Sequence, residues 1–154
     1  MNDAAPDLTL QALTAWTVRV VQYNEAVARA LSVTPSELQC LYLLARYGPL
    51  SPGRIGNEVG LSTGAASRLV DRLVGAELAT RTQDQHDRRR VTVNASSVAL
   101  DRVKELYEPL NQTLRAPLSE LQPDTLSHIR KFAETAESAT AILAKDLRKT
   151  PPAT

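Results

Sequence analysis

One cysteine among 154 residues leaves nothing for an internal disulfide, and a lone thiol fits a reducing compartment. Histidine is nearly as scarce. Neither His86 nor His128 has a cysteine or carboxylate cluster at metal-ligand spacing, so no metal site is expected. The chain also lacks a glycine-rich phosphate loop, a nucleophile elbow and a paired acid–base constellation, which argues against an enzyme and against a bound cofactor. No apolar run approaches the length of a membrane span, and residues 1–8 are polar and acidic with no basic leader, so a cytoplasmic protein without a membrane partner is expected. Internal repeats and low-complexity tracts are absent. The formal net charge of +1 carries no sign of a nucleic-acid partner when summed over the whole chain. With 43% hydrophobic residues at this length, one sizeable core can be buried.

What is present is concentrated between Ser51 and Ser96. Ser51-Pro52 supplies an N-cap oxygen and then a residue whose fixed φ suits the first helical position. Ile55 and Val59 share one face of the resulting helix, and Gly60 ends it, since glycine takes the left-handed conformation at no steric cost. Leu61 turns inward and Ser62 caps a second helix. Its apolar set, Ala66, Leu69, Val70 and Leu73, is an i, i+3, i+4, i+7 stripe. The opposite face carries Thr63, Gly64, Ser67, Arg68 and Arg72. Small polar residues followed by arginines suit a helix that enters the major groove, where bulk must be low near base edges and arginine reaches guanine or phosphate.

After Gly75 the period changes to two. The runs Leu78–Arg81 and Arg90–Val93 are β-type, and the polar segment between them predicts a hairpin with a protruding loop. That loop ends in Asp87-Arg88-Arg89-Arg90, and arginines at a loop tip suit a narrow minor groove. Asp87 would repel phosphate, so its expected part is to orient a neighbouring arginine. From Arg54 to Arg90 there are seven arginines and five acids, so the basic charge is local and is not a property of the whole chain.

The flanks read as helices. Leu13, Trp16, Val20, Tyr23, Val27 and Ala30 mark a long amphipathic helix between Leu8 and Leu31. Thr34-Pro35-Ser36-Glu37 is a capping box opening a second, with Leu38, Leu41, Tyr42, Leu44 and Ala45 expected to be buried and Gly48-Pro49 to stop it. Beyond Ser96, Leu100, Val103, Leu106 and Leu110 line a further helix in which Pro109 and Pro117 predict a bend and a break. A last helix starts near Pro123 and carries Ile129, Phe132, Ala136, Ala139 and Leu143. One copy of the chain offers nothing evident to cover both terminal stripes, so a homodimer is expected, in keeping with two-fold symmetric DNA. The fold class is therefore mainly α with a small β-hairpin wing. The expected divisions are 1–33 as an N-terminal dimerisation helix, 34–96 as a winged helix-turn-helix, 97–149 as C-terminal dimerisation helices and 150–154 as a disordered tail.

The order of elements, the Leu61-Ser62 entry, the run Arg68-Leu69-Val70-Asp71-Arg72-Leu73 and the wing Asp87-Arg88-Arg89 resemble the MarR family of bacterial transcriptional regulators, over nearly the whole chain. That family places Leu-Thr ahead of the helix after the wing. Here Ala95-Ser96 stands in, and Ser96 still supplies the hydroxyl. The resemblance implies a regulator that binds a pseudo-palindromic operator in double-stranded DNA as a homodimer, most commonly a repressor relieved by a small aromatic or phenolic effector. It implies DNA contacts from Ser62, Thr63, Gly64, Ser67, Arg68, Arg72, Asp87, Arg88 and Arg89. It also implies an effector cleft, which Trp16, Arg19, Tyr23, Arg46 and Tyr47 could line. Two other readings remain open at this point. A winged helix can bind protein in place of DNA, and Cys40 could serve a thiol-based redox sensor, although a cysteine amid Leu38 and Leu41 is more commonly an inert small hydrophobe.

Overall fold

The computed structural model describes residues 4–83 and 91–150. Its elements are α1 (Ala4–Ala30), α2 (Pro35–Tyr47), α3 (Pro52–Val59), α4 (Thr63–Gly75), β1 (Ala79–Gln83), β2 (Val91–Ala95), α5 (Ser97–Ser119) and α6 (Pro123–Leu147). The chain divides into two compact units, Met1–Leu106 and Tyr107–Thr154.

The starts of the helices follow local chemistry. Thr34 and Glu37 form both arms of the capping box: the Thr34 hydroxyl accepts the Glu37 N–H at 3.3 Å, and Glu37 Oε2 accepts the Thr34 N–H at 2.7 Å. Ser51 caps α3 by accepting the Arg54 N–H at 3.2 Å, and Ser96 caps α5 by accepting the Ala99 N–H at 3.2 Å.

In the first unit, Leu41 and Leu44 of α2, Ile55 of α3 and Leu69, Val70 and Leu73 of α4 meet in one core, which Leu78, Val93 and Ala99 close. The buried face of α2 differs from the expected one. Tyr42 and Ala45 are exposed, while Glu37 and Cys40 are buried. The stripe sits about one residue further round the helix, because Tyr42 keeps its hydroxyl outside, where it accepts from Arg46 at 2.8 Å.

The hairpin pairs antiparallel from Ala79↔Ala95 to Gln83↔Val91, shifted a residue or two from the predicted runs. Leu50 adds a third, one-residue rung: its N–H donates to the Val93 carbonyl at 3.1 Å, and Val93 N–H returns a bond to Leu50 at 2.8 Å. The base of the wing is thereby tied to the segment entering α3.

α5 contains both prolines and runs on to Ser119, so the break expected at Pro117 does not occur. Each proline removes one intrahelical donor, and α5 ends two residues after Pro117. Among the described residues, no helix is long and apolar enough to cross a membrane. Trp16 on α1 is 50% exposed, and in the second unit α6 buries nothing, leaving Phe132 at 50% and Leu143 at 62%.

α3 packs closely against α4 at Gly56. A Cβ there would lie 3.0 Å from Ala66 Cβ and 3.2 Å from the Leu61 carbonyl. Replacing Gly56 with Val is expected to cost roughly 1–3 kcal/mol, because a rigid branched side chain must displace helix against helix. Chemical denaturation of the variant measures this, and wild-type stability would show that the contact is loose.

Candidate nucleic-acid interface

α3 ends on Gly60, which takes the left-handed conformation at φ 79°, ψ 34°. Both Gly60 N–H and Leu61 N–H donate to the Gly56 carbonyl, at 2.9 and 2.8 Å, so the turn closes within two residues. Ser62 is extended, and its hydroxyl accepts the Ala65 N–H at 3.3 Å, which starts α4.

Because Ala66, Leu69, Val70 and Leu73 are buried, the opposite face of α4 is fixed outward. Thr63, Gly64, Arg68, Asp71 and Arg72 are exposed there, and Ser67 is half-buried. A Cβ on Gly64 would stand 3.8 Å from Arg68 Nη1. The Arg68 side chain therefore lies back over the first turn, within van der Waals reach of the Gly64 position. Ser62, Thr63, Gly64, Ser67 and Arg68 thus share the N-terminal half of one surface.

Two ion pairs attach this helix to its neighbours. Arg81 of β1 reaches Asp71 with Nη1 at 2.7 Å, and its Nη2 donates to the Ser67 carbonyl at 3.5 Å. On the other side Arg72 Nε donates to Glu37 Oε1 at 2.5 Å. Burial works against ionisation of Glu37, but hydrogen bonds from the Thr34 backbone, from Arg72 and from the Thr34 hydroxyl, with the Arg72 charge, hold its carboxyl below the ordinary value. Glu37 is therefore ionised at neutral pH. In the sequence Arg81 is one more arginine and Glu37 a cap residue, since neither partner lies near in the chain. A charged residue facing outward on a strand next to the helix was the available signal for Arg81. The wing-tip residues Asp87, Arg88 and Arg89 lie outside the described residues.

Four of the five residues considered for an effector make contacts, in two separate groups. Tyr23 hydroxyl donates to the Leu106 carbonyl at 2.7 Å, joining α1 to α5, and Arg19 Nη1 donates to Gln22 at 2.9 Å. Arg46 and Tyr47 group with α2 and α3: the guanidinium groups of Arg46 and Arg54 lie 5.4 and 5.6 Å from the Tyr47 ring centroid. Trp16 remains half-exposed on α1.

Cys40 is fully buried, and burial together with the Glu37 charge pushes its thiol up to about 12. A thiol so protonated is a poor nucleophile toward peroxide, so the geometry gives the redox reading no support.

A model of the MarR family matches residues 31–90. The uncharacterized HTH-type transcriptional regulator YcgE of Bacillus subtilis is 34% identical over 118 residues, 77% of either chain. Among solved structures, a MarR family protein from Bacillus stearothermophilus superposes with a TM-score of 0.69 at 18% identity, covering 91% of this chain and 98% of that one. NadR in complex with 4-hydroxyphenylacetate does so with a TM-score of 0.63 at 17% identity, covering 84% and 91%. The structural likenesses carry the fold. Taken with the capped α3–α4 turn and the outward arginine face of α4, the family match and the sequence relative place this chain in the MarR family of winged helix-turn-helix, DNA-binding transcriptional regulators.

Proposed function

We propose that the protein is a cytoplasmic homodimeric repressor that reads a pseudo-palindromic operator in double-stranded DNA and is released from it by a small aromatic or phenolic effector. The observation that carries this reading is the outward face of α4. It is small and polar at Ser62, Thr63, Gly64 and Ser67, and armed with Arg68 where a helix must approach base edges. Two such helices would enter successive major grooves while two wings follow the flanking minor grooves, with Asp87 orienting Arg88 or Arg89.

The dimer is supported by apolar side chains left exposed on α1 and on α6, each considered within its own unit: Trp16 on the first, Phe132, Ile142 and Leu143 on the second. Exposed apolar surface on this scale is costly in water, and a second copy of the same helices is the self-complementary way to cover it. The effector reading draws on NadR, whose structure contains 4-hydroxyphenylacetate, and on the aromatic and arginine residues Trp16, Arg19, Tyr23, Arg46 and Tyr47. A carboxylate and a ring are what an arginine beside an aromatic side chain would hold.

Arg68→Ala is expected to cost roughly 1–3 kcal/mol of operator affinity and to relax specificity, and Arg89→Ala to weaken operator and unrelated DNA alike. Mobility shifts at moderate salt on the DNA upstream of the gene, with nonspecific competitor, read both. Unchanged affinity in Arg68→Ala would remove α4 as the reader. In the same assay an aromatic acid such as 4-hydroxyphenylacetate is expected to release the wild-type complex, and no release across a panel of such acids would strike the effector from this reading. Sedimentation should give twice the mass of the 16.8 kDa chain. A monomer at micromolar concentration contradicts the dimer.

A further inference from the structure

We propose that Glu37 is a positioning residue for DNA binding, which holds the Arg72 guanidinium ready to meet a backbone phosphodiester. The inference rests on the reading of α4 as the DNA-facing helix. Glu37 is 5% exposed and belongs to α2, yet its side chain ends at α4. One carboxylate oxygen accepts the Thr34 N–H at 2.7 Å and the other accepts Arg72 Nε at 2.5 Å, while its own N–H is held by the Thr34 hydroxyl. The carboxylate is thus fixed at both oxygens, and Arg72 inherits that order. With Nε turned inward, Nη1 and Nη2 of Arg72 bond to nothing among the described residues, and the side chain is 56% exposed. Arg72 lies one helical turn beyond Arg68, at the edge of the outward face. A planar fork presented edge-on at that edge matches two phosphate oxygens.

Holding a long side chain in one rotamer before DNA arrives removes an ordering cost that corresponds to roughly three- to tenfold in affinity. The sign of the effect is informative. Counted only as a charge, Glu37 opposes a polyanion, and removing it would tighten binding. Counted as a positioning group, its removal weakens binding although the net charge becomes more favourable. Glutamine at this position can still serve the capping box, so Glu37→Gln leaves the start of α2 in place.

The experiment measures dissociation constants by fluorescence anisotropy over a salt series, on a duplex selected from random DNA, for the wild type, Glu37→Gln, Arg72→Gln and the double variant. Glu37→Gln is expected to bind about three- to tenfold more weakly with the salt slope unchanged, and to have no further effect in the Arg72→Gln background. Arg72→Gln should reduce the slope by about one. Tighter binding by Glu37→Gln, or an equal loss in both backgrounds, would overturn the proposal, the second because it would mark a fault in folding and not in positioning. If Glu37→Gln does not fold by circular dichroism, Arg72→Lys carries the test. It keeps the charge and loses the planar fork, so weaker binding supports the proposal and wild-type affinity overturns it. Arg68→Ala runs as the control: it should weaken binding whichever way Glu37 behaves, and an unchanged value there would overturn the reading of α4 itself and this inference with it.

Discussion

The close packing of α3 on α4 at Gly56 governs how the outward face of α4 is presented. A Cβ there would press on Ala66 Cβ at 3.0 Å and on the Leu61 carbonyl at 3.2 Å, and the Gly56 carbonyl also receives both N–H groups of the turn. One residue thus takes part in both the helix contact and the closure of the loop joining the helices. Once that contact is made, Ala66, Leu69, Val70 and Leu73 must face the core, and the arginine face of α4 has only one direction left. The energetic weight lies in apolar burial and tight packing, and the polar face is positioned as a consequence.

Electrostatics then refine the placement without dominating it. The Asp71–Arg81 pair is solvent-exposed at both ends, at 58% and 38%, and such pairs add little stability. Its effect is geometric: β1, and with it the root of the wing, is held against Ser67 and Asp71 on α4. The Glu37–Arg72 pair is half-sheltered and joins the cap of α2 to the same helix. Glu37 and Asp71 are thus each paired with an arginine, in a chain of net charge +1 whose α4 face still exposes Arg68 and Arg72.

Short-range features were legible in the sequence. Ser51-Pro52, Gly60, Ser62 and the Thr34–Glu37 box each act within a few residues, so capping chemistry alone located the starts of α2, α3 and α4. The hairpin was found from its change of period, within a residue or two of its pairing. Long-range features were not legible. The Leu50 rung on Val93 is a single residue and leaves no pattern, and the partners of Glu37 and Arg81 are brought near only by the fold. Tyr42 misled because an aromatic next to a buried stripe was read as part of it, when its hydroxyl gains more outside. Pro117 misled because the loss of its one donor does not break α5, which ends two residues later. Of the expected DNA contacts, those on α4 share one surface, while Asp87, Arg88 and Arg89 lie beyond the described residues.

The proposed homodimer would hold two identical readers at a fixed separation, which the bound DNA would report. Selecting bound duplexes from a random pool with the full-length protein measures it most directly. An inverted repeat whose half-sites lie about one helical turn apart, roughly 10 base pairs from centre to centre, is the expected product. A single unrepeated motif, or a bound pool no different from the starting pool, would contradict it.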